Sequence, residues 1–175
     1  MIFDLHWWDG SAISQVDFSN WKKIAERENL ILIWPDGMDD GGDENWSPGS
    51  WNVSSTFGPK GPICDLNRDN WLPYNVCYES CPLCDETYSC DWTTCADDLS
   101  FLSKVTEMVE NQWCVDLENK HISGISNGGM LLWNIMSQIP DALGEFDRQT
   151  EKSGLTNSRG VHILNAHSRT NPKLQ

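Results

Sequence analysis

A short glycine-rich motif carries the clearest chemical signal in this sequence. Residues 124–129 read Gly-Ile-Ser-Asn-Gly-Gly and match G-x-S-x-G, a pattern in which a serine sits on a tight turn between a strand and a helix. Strand and helix approach each other closely at such a turn, so its flanking residues must be small, as Gly124 and Gly128 are. The motif predicts that Ser126 is a nucleophile above a sheet edge. The alternative is a glycine-rich turn that only caps a helix.

A serine nucleophile also needs donors for the oxyanion and a general base. The backbone N–H of Asn127 would lie at the N-terminus of the following helix and point at the developing oxyanion. His162 and His167 are candidate bases, although histidines on strands are commonly structural. Three preceding carboxylates are interpreted as solvated loop charges: Glu145, Asp147 and Glu151.

The motif lies within an alternation of strand and helix patterns. Short apolar runs predict strands at 1–5, 30–34, 120–125 and 161–166. Helical spacing predicts helices at 15–28, 97–113 and 128–139. Ser14 and Asp17 form a capping box for the first of them. Alternating strands and helices indicate an α/β fold with a parallel sheet and right-handed crossovers.

Length and charge limit the domain count and the partners. The chain has 175 residues and a formal net charge of −14. The length suits one domain over 1–175, and no apolar run approaches the roughly 18 residues of a membrane span. So much negative charge without a basic cluster would repel nucleic acid and anionic membranes. We therefore predict that the protein binds neither nucleic acid nor membranes. We also predict no cofactor, and the oligomeric state stays open.

Residues 38–94 lack periodicity and predict a long insertion rich in cysteine and tryptophan. Six of the seven cysteines lie in or beside it: Cys64, Cys77, Cys81, Cys84, Cys90 and Cys95. Their density favours disulfides, with Cys114 left free or bridged to the insertion; a zinc knuckle is the alternative. Cys95 and Cys114 bracket a helix of roughly 27 Å and cannot pair with each other.

The insertion carries further candidate features. Four tryptophans lie in it, either to stack on a ligand or to pack in a small satellite core: Trp46, Trp51, Trp71 and Trp92. An acidic run matches no calcium motif and is interpreted as a solvated loop: Asp36, Asp39, Asp40, Asp43 and Glu44. Sequons at Asn45 and Asn52 are compatible with a secreted glycoprotein. Residues 1–5 do not form a signal peptide, so we expect any signal to lie upstream.

Four stretches resemble a known enzyme family. They are Asp-Leu-His-Trp-Trp-Asp-Gly-Ser at 4–11, Trp-Pro-Asp-Gly at 34–37, Cys-Ala-Asp-Asp-Leu-Ser-Phe-Leu at 95–102, and Cys-Val-Asp at 114–116 with Gly-Ile-Ser-Asn-Gly-Gly-Met at 124–130. The pattern is similar to that of the secreted α/β-hydrolase esterases, which include feruloyl and acetylxylan esterases and polyhydroxybutyrate depolymerases. The resemblance implies a three-layer sandwich with a mainly parallel sheet. It also implies a Ser-His-Asp hydrolase for phenolic, polysaccharide or polyester esters.

The chain departs from the family's pattern in several places. Trp7 replaces the glycine of Leu-His-Gly, so the resemblance implies an N–H at Trp7 or Trp8 as the second oxyanion donor. Asn171 stands where the triad acid is expected, and an amide cannot stabilise imidazolium by charge. The triad histidine should follow the acid, and none follows here. The family's next small, apolar strand has no counterpart between 120–125 and the last strand, so we expect unpaired sheet edges.

Two principal hypotheses follow from these residues. The first is a partial or degenerate serine esterase that acts through an acyl-enzyme on Ser126, with its general base outside this chain. The second is a catalytically inactive protein that keeps the fold and binds carbohydrate or phenolic ligands through the aromatic insertion. A cysteine-rich zinc module is a third. The expected partner is an ester of polysaccharide, phenolic or polyester type.

Overall fold

The fold is an α/β arrangement of strands and helices in the order that the sequence predicts. The computed structural model describes residues 1–41, 47–53, 78–80, 93–138 and 161–165. Within them lie β1 (Ile2–Leu5), α1 (Ala12–Phe18), α2 (Trp21–Glu28), β2 (Ile31–Pro35), α3 (Asp98–Gln112), β3 (His121–Gly124), α4 (Asn127–Gln138) and β4 (Val161–Asn165). All four strands and the last two helices match the predicted ranges within a few residues.

The strands form one sheet in the order β3-β1-β2-β4. β1 is parallel to β2 on one side and to β3 on the other, with Ile2 opposite Leu32 and Leu5 opposite Gly124. Carboxyl ends of parallel strands meet at the same sheet edge. The loops after β1, β2 and β3 are therefore neighbours, which is the usual place for a site in an open α/β sheet.

The last strand lies at the opposite edge from the one predicted. β4 pairs antiparallel with β2, from Val161 opposite Pro35 to Asn165 opposite Ile31, whereas we expected it beyond β3. That expectation was wrong. The side of β2 away from β1 offers a row of backbone donors and acceptors, and an apolar, β-favouring segment can pair with them even when it is distant in sequence.

Apolar side chains alternate between the two faces of the sheet and pack against helices on both. One face combines strand residues with α3 and α4 in a single cluster: Met1, Phe3, Leu5, Ile31, Ile33, Trp51, Val53, Leu102, Val105, Val109, Leu131 and Ile135. The other face packs against α1 and α2 through Ile2, Leu32, Trp34, Ala12 and Ala25. The period of two along β1 and β2 explains this division.

The first predicted helix is two helices. Ser11 caps α1: its hydroxyl accepts from Ser14 N–H, and the Ser14 hydroxyl accepts from Ser11 N–H at 2.7 Å. The capping box is therefore Ser11 with Ser14, and the prediction of Ser14 with Asp17 was wrong. The chain is extended at Ser19 before α2 begins, so the continuous helical spacing of the sequence hides a break.

None of the helices in the described ranges is long and apolar enough to cross a bilayer.

Candidate active site

Ser126 occupies the tight turn between β3 and α4. Its backbone φ is +50°, in the left-handed region that residues other than glycine rarely adopt. Its carbonyl accepts from Met130 N–H at 2.9 Å, and its side chain is exposed. The predicted strand-to-helix turn is therefore present, with its serine in a strained conformation at the carboxyl edge of the sheet.

The glycines on either side of Ser126 are fixed by close backbone contacts. A Cβ on Gly124 would lie 2.7 Å from the carbonyl carbon and oxygen of Gly128. A Cβ on Gly128 would lie 2.6 Å from the His6 carbonyl oxygen and 2.7 Å from Leu5 Cβ. Neither position has room for a side chain, which confirms the steric reason given for these glycines in the motif.

The loop after β1 lies next to this turn. Leu5 pairs with Gly124, and the Leu5 carbonyl accepts from Ile125 N–H at 3.2 Å. Trp7, the predicted second oxyanion residue, lies in this loop; its half-buried ring packs edge-on against Phe18 at 5.4 Å between centroids. The loop is thus adjacent to Ser126, and the role of Trp7 as a donor stays a prediction.

Asn127 anchors the start of α4. Its side chain is 2% exposed, and its Oδ1 accepts from Trp51 N–H at 2.8 Å and from Ser50 Oγ at 3.4 Å. Its backbone lies at the N-terminus of a helix of 12 residues, where peptide dipoles favour negative charge. Segment 47–53 therefore holds the residue that we predict to stabilise the oxyanion.

His6 is a buried residue whose ring links the loops after β1 and β2, and sequence reasoning missed it. Its Nε2 accepts from Gly37 N–H at 2.8 Å, and its Nδ1 lies 2.6 Å from the Trp7 carbonyl oxygen. Because a backbone N–H can only donate, Nε2 carries no proton, and Nδ1–H donates to Trp7. Burial lowers the pKa of His6. The ring is therefore neutral, and both nitrogens are occupied. Its position directly after an apolar strand was the available signal.

Trp51 belongs to the main core, in contrast to the ligand-stacking and satellite-core interpretations. It is fully buried, its ring centroid lies 5.0 Å from that of His6, and its indole N–H donates to the His6 carbonyl at 3.0 Å. Packing on this side of the sheet thus uses a residue of the insertion. The other three tryptophans of the insertion lie outside the described residues: Trp46, Trp71 and Trp92.

Tyr78 ties another part of the insertion to the loop after β1. Its buried hydroxyl accepts from Trp8 Nε1–H at 3.0 Å and donates to the Pro48 carbonyl at 3.0 Å. Burial raises the pKa of Tyr78 to about 12. The phenol is therefore neutral and links the loop after β1 to segment 47–53.

No histidine side chain in the described part of the chain is placed as a base for Ser126. His6 has no free nitrogen, and His121 begins β3, roughly 10 Å of strand from the turn. The backbone of His162 lies opposite Trp34 on β4, three strand spacings or roughly 14 Å from β3. The remaining candidates lie outside the described residues: His167, Asn171, Glu145, Asp147 and Glu151.

Carboxylates of the acidic loop bond to the backbone. Asp36 accepts from Ala12 N–H, and Asp40 accepts from Ser80 N–H at 3.0 Å. Across the described ranges, no group of three His, Cys, Asp or Glu side chains is arranged to hold a metal ion. Asp43 and Glu44 lie outside those ranges.

Two cysteines, Cys95 and Cys114, and one sequon asparagine, Asn52, lie in the described ranges. Cys95 is disulfide-bonded, whereas Cys114 is a free, exposed thiol, so the two are not paired with each other, as predicted. Asn52 donates its side-chain N–H to the Ala96 carbonyl at 2.9 Å. The other predicted disulfide or zinc cysteines and Asn45 lie outside the described residues.

Comparison of the chain with protein-family models, curated proteins and solved structures gives no match.

Proposed function

We propose that this protein is a serine hydrolase of carboxylic esters that acts through an acyl-enzyme on Ser126. The observation that carries the proposal is the φ of +50° at Ser126, on a strand-to-helix turn that Gly124 and Gly128 make possible. A left-handed serine at the carboxyl edge of a parallel sheet is costly and is characteristic of a presented nucleophile. The complete architecture we propose is an α/β-hydrolase-like three-layer sandwich.

The chemistry requires stabilisation of an oxyanion beside Ser126. Donors fixed before the reaction supply this best, and losing one typically slows acyl transfer by about 10²–10³. The N–H of Asn127 is our first donor, because its side chain is held by Trp51 and its backbone starts α4. A loop N–H at Trp7 is the second. The base that takes the serine proton comes from outside the described residues.

The substrate class comes from the resemblance in four sequence stretches. It favours esters of plant phenolics, acetylated polysaccharides or hydroxyalkanoate polymers. The disulfide at Cys95 supports an oxidising, extracellular location.

Fluorophosphonate labelling of natively oxidised protein, read by intact mass, tests the proposal. An activated serine forms an Oγ–P bond, fluoride leaves, and the serine proton passes to the base. We expect one adduct that Ser126→Ala abolishes. Ser47→Ala is the matched control, because Ser47 is an exposed serine of the described chain that should not react. An adduct that survives Ser126→Ala would contradict the proposal.

An inactive binding protein is the second candidate. It is favoured by the lack of a base for Ser126 among the histidine side chains that are described, His6 and His121. It predicts no adduct on folded protein. It also predicts that Ser126→Ala leaves the binding of ferulate or xylo-oligosaccharides unchanged in calorimetry, whereas the esterase predicts turnover of their esters.

A further inference from the structure

The imidazole of His6 lies at the junction of three segments around the candidate active site. The ring donates to the Trp7 carbonyl in the loop after β1 and accepts from Gly37 N–H in the loop after β2. The third segment is 47–53, whose Trp51 ring lies 5.0 Å from the imidazole centroid. One buried side chain therefore joins two loops at the carboxyl edge to the segment that packs on them.

The same contacts lead from His6 to the turn of Ser126. Trp51 donates its indole N–H to the His6 carbonyl at 3.0 Å and its backbone N–H to Asn127 Oδ1 at 2.8 Å. The His6 carbonyl oxygen also lies only 2.6 Å from where a Cβ on Gly128 would be. A displacement of His6 is therefore transmitted to the two residues that follow Ser126.

Protonation of the ring is incompatible with this arrangement. An imidazolium carries a proton on both nitrogens, so its Nε2–H would face the Gly37 N–H across a distance of 2.8 Å. Two donors cannot share a hydrogen bond. The protonated ring must therefore lose its bond to Gly37 or leave its buried position, and only the neutral form joins the two loops.

We propose that neutral His6 is a positioning residue for the candidate active site, and that its protonation releases the loops after β1 and β2 and switches the site off in acid. This inference rests on the proposed function, because it takes Ser126 as the nucleophile. His6 contacts no reacting atom; it acts through Trp51, Asn127 and the loop backbone.

The surroundings of the ring set the pH range of the switch. Burial lowers the pKa of His6 below its ordinary value of about 6.5, and the raising effects of the Trp7 carbonyl and the Asp36 carboxylate are smaller. Segment 47–53 and the first turn of α4 bring no ionisable side chain. Two further carboxylates lie on β1 and in its loop: Asp4 and Asp9.

The sign of the pH dependence follows from this lowered pKa. Below about pH 6.5 the unfolded chain binds a proton at His6 more readily than the native protein does. The stabilisation from neutral His6 is therefore complete above that pH and is lost as the pH falls toward the lowered value. The switch operates on the acid side of about pH 6.5.

The first test reads the switch without any activity. In an NMR titration of the full chain, we expect the amide of Gly37 and the side-chain amide of Asn127 to shift with the midpoint of the His6 ring, below about pH 6.5. His6→Gln identifies the ring signal. A Gly37 amide that does not follow His6, or a ring that titrates at or above its ordinary pKa, would overturn the proposal.

The second test measures the rate of Ser126 phosphonylation against pH. His6→Gln supplies an amide oxygen that can accept from Gly37 and does not titrate, and His121→Gln is the matched control. Below the His6 midpoint, the logarithm of the rate should fall about one unit per pH unit more steeply in wild type and His121→Gln than in His6→Gln.

Equal slopes in the three proteins would overturn the positioning role of His6. If His6→Gln does not fold, the Gly37 titration of the wild type decides alone. Folded protein that is not labelled at any pH would instead overturn the proposed function, and the Gly37 and Asn127 shifts would still show whether His6 controls the loops.

Discussion

Ser126 holds a backbone conformation that side chains normally avoid. The left-handed region costs an L residue about 1–2 kcal/mol, and Ser126 keeps it because the hydrogen bonds and contacts of β3, α4 and β1 over-determine the turn. Such strain is retained at sites where geometry matters more than local stability. Asn29, at the C-terminus of α2, has a similar φ of 54°, so it is the place of Ser126 between a strand and the start of a helix that distinguishes it from an ordinary helix cap.

Relief of this strain gives a prediction about stability. Ser126→Gly should raise the free energy of unfolding by about 1 kcal/mol, because glycine accepts a positive φ without steric cost. Ser126→Ala should give no comparable gain, since its Cβ meets the same clash. Urea unfolding of both variants measures the difference, and equal stabilities would show that the turn is not strained.

Sequence reasoning finds residues whose constraint is local and misses those whose partners are remote in the chain. Gly124, Ser126 and Gly128 were identified because their spacing alone encodes the turn. His6 was not, because its role depends on Gly37 N–H and Trp51, which are 31 and 45 positions away. No pattern in one sequence encodes such a contact.

At the scale of elements, the site depends on how closely α4 approaches β1. Gly128 lies against the backbone of His6 and Leu5, whereas a Cβ on its neighbour Gly129 would meet nothing closer than the Gly124 carbonyl oxygen at 3.2 Å. Two adjacent glycines of one helical turn therefore face different surroundings.

This contrast predicts opposite outcomes for two alanine variants. Gly128→Ala should destabilise the protein by about 3 kcal/mol or more, because backbone must move to admit the methyl group. Gly129→Ala should be near neutral, since the gain of up to about 1 kcal/mol in helix propensity offsets a mild contact. Thermal unfolding by circular dichroism compares them, and similar losses in both would contradict the packing described.

Most elements were predictable because their hydrophobic period is strong over their whole length. The errors concern features that hydrophobic periodicity does not encode. The spacing of Phe18, Trp21 and Ala25 continues across the break between α1 and α2, so it could not reveal that the helix is interrupted at Ser19. Likewise, the apolar run of β4 predicts a strand but not which edge of the sheet it joins.

At the scale of the whole molecule, one buried carboxylate links three strands and a helix. Asp4 on β1 accepts from Trp34 Nε1–H at 3.1 Å on β2, from Ser123 Oγ at 2.7 Å on β3, and from Gln15 Nε2–H at 3.0 Å on α1. Asp4 is 3% exposed, so without its carboxylate these donors would have no water as an alternative acceptor.

Removal of this acceptor should weaken the entire sheet. Asp4→Ala is expected to cost about 3 kcal/mol or more, because a buried donor without an acceptor costs about 1–3 kcal/mol. Asp4→Asn should keep most of the stability, since the Ser123 hydroxyl can accept from the new amide. Asp17→Ala, at an exposed position of α1, is the control in denaturant unfolding. An equal loss in Asp4→Asn would show that the charge, and not the acceptor, matters.

The pairing of β1 with β3 sets the order in which the protein can fold. Asp4 and Ser123 touch across 119 positions of sequence, whereas β1, α1, α2 and β2 are consecutive. Closure of so long a loop costs conformational entropy before any contact repays it, so distant strands pair late. We expect the early β1 to β2 unit to form without the Ser126 turn. Reactivity toward a fluorophosphonate would then appear only in the final phase of refolding, after most of the helical signal has returned.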